Sequence, residues 1–582
     1  MEEFKCKPIF SCATTAFHIL FAVAVLTALS GCISPGPENQ SIAGRYRQVL
    51  VEGGPQSRAS GKIVEYLRPN PVAPLPELKV ERDPQTGRQI IQLSLEEALM
   101  RTLTNNLDIQ VQTYDTAKAR QKLIQAASEF DYTAFGTASY AKQRHLVDST
   151  QAGGNQEENK YEAGIKQKFS TGAEWSLKRT WTKMTENSTT RKFNPSYEPT
   201  VEFEVTQPLL RDGGIKLNLS GLRIAKLNED ISVAVFRQTV EETVRDAMAI
   251  YWALVQAHKE VDIQQRLLDK TVETLDRLKA RQDLDATSVE IKQAEAARDA
   301  RKAVLIAAKK FARDVQDRLT RLLSDKQVNL LDDFEILPLT QPETTSINIV
   351  TEEQLALALQ NNPRLEQARL AVDISDINVY IATRQTLPKL DLTASAGLQG
   401  LAKHPGDAEE AFYSGDHPDY GAGLTFEYPL GNRNRLAEKR VSRLERQRSI
   451  ASMENLADEI TVRIKERIAE VNSSILQMEA QHAAVEAARI QLQALEDSEK
   501  VRGKMSPEFL LVKLQAQESL ADAERAEAQA ITDYNTAIVD LAVATGTVLE
   551  MPRVKSSIPI TSNSAAPLRD AAGETSRNTS GK

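Results

Sequence analysis

The sequence predicts a mostly α-helical fold that contains pairs of β-strands and is built twice in tandem. Residues 214–325 and 430–546 hold few Gly or Pro and are rich in Ala, Leu, Glu, Gln, Lys and Arg, which lose little conformational freedom in a helix. The segment that begins at Leu95 recurs at Thr351, at a constant offset of 256 residues. Short alternating segments, typical of strands, precede each long helical run.

Each long run predicts a hairpin of two helices. In the first run, apolar residues recur at spacings of three, four and seven: Val233, Val240, Val244, Met248, Tyr251 and Leu254. The pattern falters at 283–288 in the first run and at 502–507 in the second. Such a break between two helical patterns indicates a reversal of the chain.

A shorter helix opens each repeat. Ser94 is its expected N-cap, with Glu97 three residues later in a capping box. We expect it to continue through the Asn105-Asn106 pair to about residue 129, and the second copy carries Asn361-Asn362 at the matching positions. This helix is about 54 Å long, and the returning hairpin limb has a similar length. Placed end to end, the two match the single limb at 216–282, which is about 100 Å long. The lengths predict a wall that pairs one long helix with two stacked shorter ones.

The alternating segments predict strands with one apolar and one polar face. In the first repeat Val201, Phe203 and Val205 alternate with polar residues, and in the second the segments 390–398 and 420–428 do the same. Tilted strands of about 10 residues can cross a bilayer. A half-buried sheet of a soluble protein explains the alternation equally well, but the export signal described below favours a membrane barrel.

The first repeat carries about 35 extra residues between its strands, with a tight turn at Gly172. We expect this hairpin to be an extracellular extension. Two further barrel strands are the alternative.

The N-terminal residues predict export and lipidation. Lys5 and Lys7 precede an apolar run that ends in Leu29-Ser30-Gly31-Cys32, which is typical of a secretory signal with a lipobox. Cys32 would then be lipidated, for example with palmitate; an ordinary signal peptide with a chance cysteine is the alternative. The predicted organisation is a signal at 1–31, a proline-rich linker at 32–90, repeats at 91–340 and 341–550, and a disordered tail at 551–582.

Composition argues against several classes of function. With 72 basic and 80 acidic residues interspersed, the net charge of −8 is not the footprint of a nucleic-acid-binding protein. The six histidines are scattered, and no motif for phosphate binding, metal binding or catalysis stands out. We therefore expect no enzyme activity, no metal site and no cofactor.

The ordered motifs resemble the TolC family of outer-membrane efflux proteins. They are Leu95-Glu96-Glu97-Ala98-Leu99 with Asn105-Asn106, the copy at 351–362, Gln207-Pro208-Leu209, Ala249-Ile250-Tyr251-Trp252, Gln515-Ala516-Gln517 and Asp533-Tyr534-Asn535. The resemblance implies a homotrimer in which each chain gives four strands to a shared transmembrane barrel of 12 and four hairpin helices to a periplasmic tunnel. It also implies two protein partners, a periplasmic adaptor and an inner-membrane pump.

The hairpin tips are the candidate site for gating or for contact with the adaptor. The candidate residues are Asp283, Asp285, Thr287, Ser288, Arg502, Gly503, Lys504, Met505 and Ser506. Acidic residues at one tip and basic residues at the other, repeated three times around a mouth, could hold it shut or select ions. The plainer interpretation is a pair of exposed, charged turns. Asp285 departs from the family pattern, which places Gly there.

The resulting expectation is a passive export duct: the lipid-anchored outer-membrane channel of a tripartite efflux or type I secretion system. The alternative is a non-conducting coiled-coil lipoprotein that acts as an envelope spacer. Alternating strands beside each hairpin favour the duct, because a spacer does not need them. The exported substrate is not encoded here, because the pump selects it.

Overall fold

We describe the fold from a computed structural model of the chain. The description covers residues 77–82, 88–144, 155–187, 191–282, 287–325, 327–328, 333–502, 506–552 and 554. Within these ranges no helix is both long enough and apolar enough to cross a bilayer.

The described part of the first repeat contains seven strands and five α-helices. In chain order they are β1 (Val80–Arg82), β2 (Gln89–Leu93), α1 (Leu95–Asn105), α2 (Leu107–Ala127), β3 (Thr133–Arg144), β4 (Asn155–Lys168), β5 (Glu174–Glu186), β6 (Ser196–Pro208), α3 (Ile215–Asn218), α4 (Ser220–Ala280), α5 (Ser288–Leu323) and β7 (Phe334–Pro338).

The second repeat follows with fewer strands. Its elements are α6 (Thr351–Asn361), α7 (Pro363–Gln385), β8 (Lys389–Gln399), α8 (Pro405–Ser414), β9 (Pro418–Glu427), α9 (Arg433–Arg502) and α10 (Pro507–Thr545). Both predicted helical hairpins, α4–α5 and α9–α10, are therefore confirmed.

Each opening helix is broken at an asparagine, so the prediction of one continuous helix is wrong. Asn106 has a non-helical backbone, and its side-chain oxygen accepts from the backbone N–H groups of Asp108 and Ile109 at 2.9 and 3.1 Å. Its Nδ2 donates to the carbonyl of Leu322, 3.0 Å away at the end of α5. Asn362 repeats the arrangement and donates to Ala544 O at 3.1 Å. An N-cap side chain stabilises a new helix start better than it continues an old one.

These bonds stack the shorter helices end to end, as the lengths predict. α5 meets the break between α1 and α2, and all three pack on α4. In the second repeat α10 meets the break between α6 and α7, and these pack on α9. Because α7 and α10 also pack on α4, the wall runs from the α2/α5 pair through α4 and the α7/α10 pair to α9.

The core of this wall is a set of apolar seams between helices. In the second repeat, α9 and α10 contribute Ile460, Ile464, Ile468, Val471, Tyr534, Ala537 and Leu541. These positions follow the helical spacing that the sequence pattern predicts.

The main sheet has six antiparallel strands in the order β3-β4-β5-β6-β8-β9. The expectation of four strands per chain is therefore wrong, because the extra hairpin of the first repeat is β4–β5 and pairs along its length with β3 and β6. Its turn also lies at the helical end of the sheet, where Gly214 N donates to Thr171 O at 2.9 Å. The hairpin is thus part of the sheet and not an extracellular extension.

A second, small sheet contains β1, β2 and β7. β2 pairs with β7 in parallel, which joins the start of the first repeat to its end. β1 and part of β2 lie within the span predicted as linker, so regular structure begins earlier in the chain than expected. The prolines that define that linker, from Pro35 to Pro76, precede both strands in the sequence.

Candidate functional site

The ends of the two helical hairpins lie side by side and pack through an apolar cluster. Leu275 and Leu278 of α4, Ile291 and Ala294 of α5, and Leu510 and Leu514 of α10 form this cluster. Leu510, four residues beyond Ser506, is completely buried. The structure therefore brings the two predicted tips together.

The described tip residues act locally as helix caps. Thr287 starts α5 in a capping box: its N–H donates to Glu290 Oε2 at 2.6 Å and its Oγ1 accepts from Glu290 N at 3.4 Å. Ser506 caps α10 by accepting from Phe509 N at 3.3 Å, with Pro507 in the first helical position. Ser288 is the first residue of α5.

The remaining candidates cannot be placed. Asp283, Asp285, Gly503, Lys504 and Met505 lie outside the described residues, as does the lipidation candidate Cys32. Arg502 is the last residue of α9, and its side chain lies outside the description. The proposed acid–base contact between the two turns stays a prediction.

A polar cleft of 610 Å³ lies between the hairpins just above the tips. Here the described ion pairs between hairpins join bases of α4 to acids of α9: Lys270–Glu496 at 3.6 Å and Arg277–Glu499 at 3.8 Å. This polarity is the reverse of the one expected for the turns. Lys500 instead pairs within α9 with Asp497 at 2.9 Å, and this hydrogen bond raises the pKa of Lys500.

Two buried cations near this cleft were missed by sequence reasoning. Lys513 of α10 donates to Glu499 Oε2 at 2.5 Å and joins the limbs of the second hairpin. Arg301 of α5 donates to Gln517 Oε1 at 3.1 Å and to Leu514 O at 2.8 Å, so it joins the two hairpins. Burial lowers the pKa of Arg301. In the sequence both residues look like members of an ordinary solvated helix surface, so no signal singles them out.

The described residues contain no group of three or more His, Cys, Asp or Glu side chains arranged to hold a metal ion. What the site offers chemically is a set of charge pairs and caps that fix the ends of four helices.

Comparison with known proteins identifies the second repeat. Residues 355–547 match the family described as outer membrane efflux protein. This match covers about one third of the chain. The predicted resemblance to the TolC family is therefore confirmed. No curated protein sequence matches the chain.

Solved structures of outer-membrane proteins share the fold of most of this chain. The Campylobacter jejuni CmeC outer membrane channel aligns with a TM-score of 0.58 at 15% identity, over 80% of this chain and 90% of that one. The Vibrio cholerae outer membrane protein VceC aligns at 0.57 and 15% identity, over 78% and 96%. The open-state Neisseria gonorrhoeae MtrE outer membrane channel aligns at 0.57 and 17% identity, over 78% and 89%. At these identities the likeness shows the fold.

Proposed function

We propose that three copies of this chain close into an outer-membrane export channel, with the sheets forming a barrel and the helical walls a periplasmic tunnel. The support for closure is the pair of unpartnered sides that one chain presents. On one side lie α2, α5 and the edge strand β3; on the other lie α9 and the edge strand β9. Placing α9 of one copy against α2/α5 of the next continues the alternation of long helix and stacked pair.

The side chains on these two sides suit such a contact. On α9 the exposed positions Val462, Ala469, Leu476, Ala483 and Ile490 recur every seven residues, on the side opposite the buried seam. A strict seven-residue apolar repeat is the pattern by which helices pack in a left-handed coil. On α5 the exposed positions Ala296, Ala300, Ala303, Ala307 and Phe311 form a matching stripe at spacings of three and four. We take a second copy of this chain as the occupant of each stripe.

Leu476→Glu tests this assignment. Leu476 is 65% exposed in one chain, so a single chain tolerates the charge, whereas a packed interface does not. We expect the SDS-resistant trimer, resolved by heat-modifiable migration, to be lost. Gln477→Glu is the matched control, because it adds the same charge one residue on and about 100° around the helix. A wild-type protein that stays monomeric and does not conduct in planar bilayers would instead favour the envelope spacer.

The anchor and the partners belong to the same proposal. Cys32 would tether each copy to the outer membrane by its lipid, and mass spectrometry of the mature N-terminus detects that modification. The hairpin tips would face a periplasmic adaptor that couples the channel to an inner-membrane pump. Such a channel performs no catalysis and needs no cofactor.

The tips are also the proposed gate. Charge reversal at Asp283 and Asp285 should change single-channel conductance and ion selectivity if these carboxylates ring the periplasmic mouth. Unchanged conductance and selectivity would remove the gating role and leave the channel assignment intact.

A further inference from the structure

The hairpin β4–β5 separates this chain from a fold with two strands per repeat. We propose that β4 and β5 form part of the wall of the outer-membrane pore, so that the trimer has an 18-stranded barrel with a charged sector in its lumen. This inference depends on the proposed trimeric channel.

The first support is that the hairpin spans the full height of the sheet. β4 pairs with β3 from Thr133↔Lys166 to Arg144↔Asn155. β5 pairs with β6 from Glu174↔Thr206 to Met184↔Ser196. At the helical end, Gln167 Nε2 donates to Phe130 O at 2.9 Å, which fixes the hairpin to the short turn that follows α2. A hairpin that projected into solvent would not keep both neighbours along its length.

The second support is the phase of the side chains. Ile165 of β4 pairs with Leu177 of β5, which pairs with Phe203 of β6. Directly paired residues lie on one face of a sheet, so the apolar face is continuous across the added strands. The opposite face carries charge on the same strands: Lys160, Glu162, Lys166, Lys178, Glu202 and Glu204. Lipid requires the apolar face, which leaves the charged face for a water-filled lumen.

The third support is two rows of aromatic rings that cross the hairpin. Trp175 lies 6.3 Å from Tyr132 and 6.1 Å from Phe203, measured between ring centroids. Trp181 lies 6.1 Å from Tyr161 and 5.4 Å from Tyr197. The two tryptophans are six residues apart on β5, about 20 Å along the strand. Aromatic girdles at both edges of an apolar band are typical of transmembrane barrels.

Between the two tryptophans of β5, Arg179 is the charged residue on the apolar face, and its partner neutralises it. Its Nη2 donates to both carboxylate oxygens of Glu409 on α8, at 2.9 and 2.6 Å. The guanidinium also lies 5.3 Å from the ring centroid of Phe412. Arg179 is two residues from Trp181, so the Arg179–Glu409 pair lies beside the aromatic row that is farther from the helical wall. A membrane interface tolerates charge at that level.

The consequence is a wider pore with an acidic luminal face. Barrel diameter grows roughly in proportion to strand number, so 18 strands give about one and a half times the diameter of 12 and about twice the cross-section. The luminal charges include the pairs Lys160–Glu162 at 3.3 Å and Lys178–Glu202 at 2.8 Å. Over the six strands, the luminal face carries ten acidic and five basic residues per chain, so it favours hydrated polar cargo and cations over anions.

Single-cysteine labelling in lipid tests the inference. The chain has three cysteines, all at or before position 32, so wild-type protein supplies the labelling background. Leu177→Cys, Lys178→Cys and Phe203→Cys are labelled with a bimane dye in the full-length protein in vesicles that contain nitroxide-labelled lipid. We expect quenching at Leu177 to equal that at Phe203, with at least severalfold less quenching at Lys178.

The control at Phe203 separates the two proposals. Quenching at Phe203 without quenching at Leu177 would overturn the place of β4–β5 in the wall while leaving a membrane barrel. Absence of quenching at Phe203 as well would overturn the membrane barrel itself. Equal quenching at Leu177 and Lys178 would overturn the assignment of faces.

Discussion

The two repeats share their helical hairpins and differ in their strands. Each repeat breaks its opening helix at an asparagine that also holds the end of the returning limb, Asn106 in one and Asn362 in the other. Yet the first repeat gives four strands to the sheet and the second gives two. Helix lengths are fixed by end-to-end stacking against the long limb, whereas antiparallel strands can be added in pairs without changing chain direction or face.

The largest expected effect comes from making the first repeat like the second. Deleting residues 145–190 removes β4 and β5 and leaves β3 antiparallel to β6. Because the helical interfaces remain, we expect a trimer with a narrower outer mouth. Polyethylene glycols added from the extracellular side only should be excluded at a lower molecular mass than in wild type. An unchanged cut-off would mean that the hairpin does not widen the barrel.

A buried carboxylate distinguishes the two long helices. α4 buries Glu241, whereas the buried residues described for α9 are apolar except Ser474. Burial raises the pKa of Glu241 to about 7, although Arg237 donates to it at 2.7 Å. The folded state therefore holds the proton of the Glu241 carboxyl more tightly than the unfolded state does. The stability that this proton contributes is fully present below pH 4.5 and is lost as pH rises to about 7.

The free energy of unfolding loses at most about 3 kcal/mol through the ionisation of Glu241. Glu241→Gln should flatten the dependence of unfolding free energy on pH between 4.5 and 7, measured by circular dichroism during denaturation. The exposed neighbour Glu242→Gln is the control and should keep the wild-type slope. An identical slope in Glu241→Gln would contradict the shifted pKa.

The substitutions Asn106→Ala and Asn362→Ala test whether the helix breaks in the two repeats are equivalent. Each removes an N-cap and leaves a carbonyl of the returning limb without its donor, so each should cost about 1–3 kcal/mol. Thermal unfolding should show a similar loss of stability for both variants, and Asn105→Ala is the control. A loss confined to one repeat would show that the stacked ends are not equivalent.

The smallest effect concerns the ends of the returning limbs. The residue that follows α5, Ser324, has a φ of 46°, and the residue that follows α10, Gly546, has a φ of 70°. Because Gly adopts this conformation without strain, Ser324→Gly should stabilise the protein by about 0.5–1 kcal/mol. Gly546→Ala should destabilise it, since the added Cβ would lie 2.6 Å from Asn361 O. A destabilising Ser324→Gly would show that the bond from Ser324 Oγ to Arg321 O outweighs the strain.

Sequence reasoning predicted the duplicated plan because helical periodicity and the Asn pair repeat over long stretches. It missed the break at Asn106, since Asn is compatible with either a helix interior or a cap, and contact with Leu322 decides between them. It misplaced β4–β5 because the alternation around Ile165 and Leu177 fits both a protruding hairpin and a wall strand. Register with β3 and β6 is a long-range property that no local pattern carries.

The candidate site was predicted less completely. Thr287 and Ser506 are readable as caps from their positions before helical runs. The burial of Arg301 and Lys513 depends on which helices pack together. A charged residue in a helical pattern carries no sign of the partner that buries it.

Imaging the full-length protein in lipid nanodiscs by electron cryo-microscopy, viewed along the pore axis, tests the central claim most directly. We expect a three-fold ring in which α9 of each copy packs on α2 and α5 of the next, below a barrel of 18 strands. A barrel of 12 strands would contradict the role of β4–β5, and particles without three-fold symmetry would contradict the channel itself.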